Sequence, residues 1–176
     1  MTDGKQNLIL TTCPIKEYSE YYISACTQQD GFYLKVLKFD ASRDETQGLF
    51  EEIAITQVSN QVTSLGWTRF GNETEKNYMG LLMTGHNDGK LSLWSIVDLI
   101  ENSESKSIDI GLIKTFKGIH SSKVTCIEYN IKPNVAATAS TELMIVQILE
   151  DKVNGGYDLT VAMQCTNDYD TQEISS

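Results

Sequence analysis

A histidine, a carboxylate and a hydroxyl lie close together in the middle of the sequence, and such groups could form a hydrolytic triad. They are His86, Asp88 and Ser92. A catalytic serine would need an exposed, glycine-rich turn within reach of a base. Here the stretch Asn87-Asp88-Gly89 is typical of a tight hairpin turn, and Ser92 follows inside an alternating strand pattern. The spacing therefore predicts a structural hairpin, and no enzymatic activity is expected.

Cysteine and histidine are the other residue types here that could hold a metal. The four cysteines lie far apart in the sequence, and only two histidines accompany them. Structural zinc sites use closely spaced pairs of such ligands, so no metal site is expected. Gly155-Gly156 is a lone turn pair, and no glycine-rich phosphate-binding motif occurs. We therefore expect no cofactor.

The charge of the chain bears on its partners. The formal net charge is −10, and the lysines and arginines form no cluster that could follow a phosphate backbone. Nucleic acid is therefore not an expected partner. No apolar run reaches the roughly 18 residues of a membrane span, and the N-terminus lacks the apolar core of a signal peptide. These features predict a cytoplasmic protein without direct membrane insertion.

Short apolar segments separated by polar turns recur along the chain, which indicates many short strands and little helix. In Lys90–Trp94, Leu91 and Leu93 are expected on one face of a strand, with Ser92 and Trp94 on the other. The chain is therefore predicted to be all-β. The predicted strands are Tyr21–Cys26, Tyr33–Phe39, Val62–Trp67, Leu81–Thr84, Lys90–Trp94, Ile113–Phe116, Val124–Tyr129, Val135–Thr138, Met144–Leu149 and Leu159–Met163.

An internal duplication organises these strands. Leu81–Trp94 aligns without a gap to Val135–Ile148, 54 positions later, and Tyr22–Leu37 is a weaker copy. Serial copies of this kind are typical of β-propeller blades, in which four antiparallel strands form each unit. We predict a partial WD-repeat β-propeller of about three such blades; a different all-β sandwich is the alternative. The predicted units of this incomplete propeller (1–176) are blades at about 20–60, 61–117 and 118–165, with a frayed tail at 166–176.

Several side chains are expected to hold the blades together. In the WD pattern, a histidine ahead of the first strand bonds to an aspartate in the central hairpin, and a hydroxyl and a tryptophan complete the network. The blade that ends in Trp94 keeps Thr84 and Asp88, but it has Val58-Ser59-Asn60-Gln61 where the histidine would lie. The predicted structural positions are Trp67, Thr84, Asp88, Trp94, His120 and Thr138.

The next blade is expected to keep a different part of the same network. It has His120 after Gly118-Ile119, and it keeps a threonine at Thr138. Thr141 stands in place of the aspartate in this interpretation. The repeats are therefore expected to be degenerate, with an incomplete network in each blade.

Taken together, three stretches of the chain resemble the larger, propeller-plus-rod subunit of the COPII outer vesicle coat, the Sec thirty-one family. In that family an asparagine recurs after the first strand and another before the second, and Asn130 and Asn134 are similar to them. The resemblance covers roughly residues 20 to 150 and rests on order and spacing. The stretches are Val62–Trp67 with Gly80–Trp94, the apolar exit Ser95–Ile100, and His120–Ile131 with Asn134–Thr138.

The resemblance implies a non-enzymatic scaffold of the COPII outer coat in endoplasmic-reticulum-to-Golgi transport. It also implies protein partners, namely the smaller propeller subunit of the outer coat and other coat subunits. The implied location is the cytoplasm, peripheral on the cytosolic face of the endoplasmic reticulum and of COPII vesicles. The alternative function is that of a WD-repeat adaptor or substrate receptor in another multiprotein complex.

The chain also departs from the family pattern. The third copy ends in Val146-Gln147-Ile148, without the aromatic residue and aspartate that close a typical repeat. Closed propellers have about 4–8 blades, and about three cannot close a ring. The chain is therefore expected to be either an N-terminal fragment of a larger protein or a truncated gene product, with open edge strands.

Overall fold

The residues that the structure describes form three four-stranded antiparallel sheets that follow one another along the chain. The structure is a computed structural model that describes residues 8–43, 48–105, 107–130, 132–151 and 156–165. The first sheet contains β1 (Ile9–Thr12), β2 (Tyr21–Gln28), β3 (Gly31–Phe39) and β4 (Phe50–Val58). The second contains β5 (Val62–Thr68), β6 (Leu81–His86), β7 (Leu91–Ser95) and β8 (Leu112–Phe116). The third contains β9 (Cys126–Tyr129), β10 (Val135–Ala139), β11 (Leu143–Asp151) and β12 (Gly156–Cys165).

Strand pairing in each sheet follows chain order, so every strand is hydrogen-bonded to its neighbour in sequence. The prediction of an all-β chain built from consecutive four-stranded blades is confirmed. Two strands were not predicted, β1 and β4, and β1 places the start of the first sheet before residue 20. The tail predicted at 166–176 lies outside the described residues.

One short α-helix, α1 (Ile96–Glu101), follows β7 within the stretch that the sequence indicated as an apolar exit from the blade. It begins at Ser95, whose hydroxyl accepts a hydrogen bond from the backbone N–H of Asp98. This is the usual way in which a serine satisfies a free donor at a helix start. The apolar residues of α1 are buried against the first sheet, which explains why this exit is rich in isoleucine and leucine.

The middle sheet is buried on both faces, because it packs between the other two. Leu82 and Trp94 lie opposite each other in register and belong to the core shared with the first sheet. Met83 and Leu93 form the next pair, point the other way and belong to the core shared with the third sheet. Each blade therefore needs its neighbours to hide its apolar side chains, as a repeat architecture requires.

The first strands of the three sheets are neighbours in space. β1 packs beside β5, and β5 packs beside β9. At the other side of the sheets, α1 contacts β4 and β12 contacts β8. This arrangement is that of blades placed side by side around a common inner edge, as in a propeller.

Candidate functional site

A buried polar network crosses three strands of the second sheet. Nε2 of His86 lies 3.0 Å from Oγ1 of Thr84 and 2.9 Å from Oγ of Ser92. The indole N–H of Trp94 donates to Oγ1 of Thr84 at 2.9 Å, and the Ser92 hydroxyl lies 2.9 Å from that of Thr115. The histidine missing from the 58–61 region is thus replaced by His86, which comes from the second strand of the same blade. The network therefore has an imidazole, three hydroxyls and an indole.

The imidazole of His86 is held neutral by its surroundings. Burial lowers the pKa of His86, and the nearby charge of Asp88 opposes this shift only in part. A buried group of this kind favours its uncharged form. At neutral pH, His86 therefore acts as a hydrogen-bonding group inside the blade.

Asp88 lies on the hairpin between β6 and β7, and its carboxylate forms an ion pair with Lys90. Burial tends to raise the pKa of Asp88, but the hydrogen bonds and charge of Lys90 outweigh it, so the pKa lies below its ordinary value. Asp88 thus shapes the hairpin and makes no hydrogen bond to an imidazole, in contrast to the aspartate of the WD pattern. Gly89 completes the turn with a φ of 81°, as the Asn-Asp-Gly motif predicts.

The third sheet has its own network. Nε2 of His120 lies 2.8 Å from Oγ1 of Thr138, and Nδ1 lies 3.3 Å from Oε1 of Glu142. The backbone N–H of Ser121 also donates to Glu142 Oε1, at 3.0 Å. Glu142 therefore supplies the carboxylate of this network. The prediction that Thr141 stands in place of the carboxylate is wrong. The signal was present in the sequence, because Glu142 lies 54 positions after Asp88 in the internal duplication.

The remaining predicted position, Trp67, lies apart from both networks. Its side chain is buried on β5 in the core between the first and second sheets. The indole N–H donates to the backbone carbonyl of Met79 at 2.8 Å. The predicted positions thus fall into two polar networks, one hairpin and one core contact.

Replacing Thr84 by valine is expected to lower the free energy of unfolding by about 2 kcal/mol. Valine keeps the shape of the side chain but leaves the Trp94 indole N–H without a partner and removes one of the two hydroxyls near Nε2 of His86. A buried donor without a partner costs about 1–3 kcal/mol. Urea denaturation followed by circular dichroism measures the change. Thr115→Val is the matched control, because Thr115 is half-buried at the end of the network and is expected to cost less than about 1 kcal/mol. Equal losses in the two variants would contradict the central place given to Thr84.

The carboxylate of Glu142 predicts a pH dependence of stability. Hydrogen bonds from the Thr141 hydroxyl and the Ser121 backbone N–H, with a smaller effect of His120, lower the pKa of Glu142 to about 2. An unfolded glutamate titrates near about 4.3. The stability that Glu142 contributes is therefore complete above about pH 4.3 and is lost as the pH falls towards about 2.

Glu142→Gln is therefore expected to lower the melting temperature at pH 7 and to lower it much less at about pH 2.5. Melting curves of the two proteins across this pH range measure the difference. Glu128→Gln, an exposed change on β9, controls for the general loss of one acidic charge. If Glu142→Gln lowered the melting temperature equally at both pH values, the ionised carboxylate of Glu142 would contribute nothing to stability.

The hydroxyl of the possible hydrolytic triad is used inside the blade. Ser92 is buried and its hydroxyl already bonds to His86 and Thr115, so a substrate cannot reach it. Within the described ranges, no group of three or more histidine, cysteine or acidic side chains is placed to hold a metal ion. In the same part of the chain, no helix has the length and apolar character to cross a membrane.

A groove of about 470 Å³ lies where the inner strands of the three sheets meet. Leu10 of β1, Leu65 of β5 and Glu128 of β9 line it, together with Arg69 just after β5. Leu10, Arg69 and Glu128 are exposed, so the groove presents an apolar side chain and charges of both signs. Sequence reasoning missed the groove, because its residues come from three sheets and meet only in the folded chain.

Comparison with known proteins shows which solved structures have a similar fold. No protein-family model and no curated protein sequence matches the chain. Among solved structures, the C-terminal WD40 domain of Sif2 is similar, with 20% identity, a TM-score of 0.51 and coverage of 91% of this chain and 37% of that chain. Chaetomium thermophilum Sqt1, bound to the N-terminus of ribosomal protein L10, has 13% identity, a TM-score of 0.58 and coverage of 90% and 37%. A chain of the Chaetomium thermophilum polycomb repressive complex 2 has 13% identity, a TM-score of 0.60 and coverage of 85% and 28%.

These neighbours are WD40 propeller proteins, and the chain has the fold of consecutive WD-repeat propeller blades. It spans between 28% and 37% of the lengths of these three structures. Two of these neighbours are seen with protein partners, in a polycomb complex and with ribosomal protein L10. At these identities the likeness concerns the fold alone.

Proposed function

We propose that this chain is a non-enzymatic scaffold that binds other proteins through the surfaces of its blades. One observation carries the proposal: the side chains that could do chemistry are used inside the blades. His86 and Ser92 are buried and bonded to each other, and His120 is buried against Thr138 and Glu142. The outer surface of the sheets and the groove between them are left to contact other molecules. Such surfaces suit the binding of other proteins.

We propose the COPII outer coat as the particular assembly. The support is the sequence resemblance over roughly residues 20 to 150, while the similar structures bear on the propeller fold alone. In this role the blades would form part of a rigid unit on the cytosolic face of the endoplasmic reticulum and of COPII vesicles. The expected partner is the smaller propeller subunit of the outer coat.

The coat role is tested by tagging the protein at its own gene locus. Affinity purification followed by mass spectrometry is expected to recover the smaller propeller subunit, and imaging is expected to place the protein at endoplasmic-reticulum exit sites. The same tag on an unrelated cytosolic protein serves as the control. An even cytosolic or nuclear distribution without that subunit would rule out the coat role and leave the general scaffold proposal intact.

The groove between the inner strands favours a second candidate, a WD-repeat adaptor or substrate receptor in another complex. Its exposed apolar side chain and its charges of both signs suit an extended peptide segment. Arg69→Glu would then reduce recovery of the main partner, whereas Lys117→Glu, an exposed change outside the groove, would not. If neither variant changes the partners recovered, the groove is not the binding surface and the adaptor role loses its support.

A further inference from the structure

A small cavity of about 160 Å³ lies in the crevice between the second and third sheets. The two sheets contact each other through β8 and β12, and an ion pair between Lys114 and Asp158 joins the same two strands, with 3.0 Å between Nζ and Oδ1. We call this space the crevice cavity. It is lined by Thr74, Lys76, Asn77, Ile113, Glu150 and Tyr157.

Asn77 is held in the wall of the crevice cavity by hydrogen bonds on both sides. It ends a single helical turn, Glu75–Asn77, between β5 and β6. Its backbone N–H donates to Oγ1 of Thr74 at 3.2 Å, and its Nδ2 donates to the hydroxyl oxygen of Tyr157 at 3.0 Å. The amide is therefore fixed between the helical turn of one blade and the outer strand of the next.

The other end of this amide has no partner. Asn77 is only 3% exposed, yet its Oδ1 accepts no hydrogen bond from the residues that the structure describes. A buried acceptor without a donor costs about 1–3 kcal/mol, and native proteins rarely leave one without a reason. Because Asn77 lines the crevice cavity, an N–H donor that enters the cavity can bind this oxygen.

The charges around the crevice cavity favour a positive occupant. Burial raises the pKa of Tyr157 most, the hydrogen bond with Asn77 lowers it, and the negative charges of Glu150 and Glu73 raise it further. Neither carboxylate forms an ion pair with another described residue. Lys76 is exposed, so its ammonium group can extend into water while its stem lies along the wall. The two carboxylates are thus free to attract a cation.

The size and the walls of the crevice cavity indicate which cation fits. Pockets for small-molecule ligands typically measure about 300–1,000 Å³, so this smaller space suits a single side chain. Ile113 and the ring of Tyr157 provide apolar surface for a side-chain stem. Arginine has such a stem, and its planar group carries several N–H donors, stacks on aromatic rings and is less strongly hydrated than the ammonium of lysine.

We propose that the crevice cavity binds an arginine side chain of a partner protein, whose guanidinium donates to Oδ1 of Asn77 and pairs with Glu150. Arginine is among the residues that most often anchor protein interfaces. The inference rests on the proposed scaffold role, because it names the chemistry of one partner contact. It depends neither on the groove between the inner strands nor on the coat assignment.

Titration of the isotope-labelled 176-residue chain with N-acetyl-arginine amide tests the proposal by NMR. The side-chain amide signal of Asn77 is expected to shift and to saturate at millimolar concentrations of the probe, as for a single side chain. N-acetyl-citrulline amide has the same shape without the charge and is expected to bind about fivefold more weakly. N-acetyl-aspartate amide is expected to leave the signal unchanged. If the aspartate probe bound in place of the arginine probe, the amide would present its N–H₂ group to the cavity and the proposal would be wrong.

Four variants locate the bound probe. Asn77→Leu removes the buried acceptor and is expected to weaken binding about tenfold, and Glu150→Gln is expected to weaken it about threefold. Lys76→Met keeps the stem and removes a like charge, so binding is expected to strengthen about twofold. Glu128→Gln is the matched control, because Glu128 is an exposed carboxylate in the groove between the inner strands, and it is expected to change nothing.

The outcomes separate this inference from the scaffold role. An arginine probe that caused no saturable shift of Asn77 would overturn the inference and leave the scaffold role, which partner recovery tests, unaffected. Weaker binding in Glu128→Gln with no change in Glu150→Gln would place the probe in the groove and would also overturn it. If circular dichroism shows that Asn77→Leu is unfolded, the opposite effects expected of Glu150→Gln and Lys76→Met decide the result, since both side chains are exposed.

Discussion

Trp94→Ala is expected to lower the free energy of unfolding by about 4 kcal/mol, the largest effect of any single change considered. Removing a buried aromatic side chain typically costs about 3–5 kcal/mol, because transfer free energy is lost and a cavity remains. Trp94 is only 1% exposed and packs in the core between the first two sheets. Its indole N–H also donates to Thr84, so the change removes a hydrogen bond inside the buried network. Guanidinium denaturation followed by circular dichroism measures the loss.

Trp94→Phe separates the two contributions of this side chain. Phenylalanine keeps most of the apolar volume and loses the N–H donor, so the expected cost is smaller, at about 1.5 kcal/mol. Tyr78→Ala, at a side chain that is 38% exposed, controls for removal of an aromatic ring at the surface. If Trp94→Ala cost no more than Tyr78→Ala, the core between the first two sheets would not depend on Trp94. Since small domains are stable by only about 5–15 kcal/mol, the expected loss is a large share of the total.

The sequence predicts the second and third sheets well, because both carry a repeated pattern. Leu81–Trp94 has the apolar content of a sheet buried on both faces, and its copy keeps the same strand and turn order. The first sheet was predicted less completely. β1 has only four residues, and β4 includes the acidic pair Glu51-Glu52, which breaks the apolar alternation at its start. These two strands form because β1 pairs with β2 and β4 pairs with β3. Such pairing cannot be recognised in a short window of sequence.

The polar networks show a different limit of the sequence. Spacing alone indicated Glu142, because it occupies the position of Asp88 in the second copy, yet the adjacent Thr141 was assigned to that position. His86 could not be assigned in this way, because it replaces a histidine that other repeats carry ahead of the first strand. Its role depends on the register that sets β6 beside β7. The groove is even harder to predict from the sequence, because residues from three separate sheets form its walls.

Gly89→Ala is expected to destabilise the chain by about 3 kcal/mol, for two separate reasons. Gly89 has a φ of 81°, in the left-handed region, where other residues cost roughly 1–2 kcal/mol more than glycine. A Cβ atom at this position would also lie 2.3 Å from the backbone oxygen of His120, which cannot move without displacing the start of the third blade. The hairpin turn of one blade is thus also a contact with the next, which is why the residue after Asn87-Asp88 must be small. Thermal and urea unfolding measure the total cost.

Gly118→Ala isolates the conformational part of this cost. Gly118 has a similar φ of 72°, but a Cβ atom there would have no neighbour within 4 Å. Its expected cost is about 1 kcal/mol, so the difference between the two variants reports the close approach between the blades. Equal costs would mean that the chain around His120 shifts freely and that the hairpin does not fix the third blade. A larger cost for Gly89→Ala would show that the turn sets the spacing between blades, since the same backbone oxygen belongs to the residue that anchors Thr138 and Glu142.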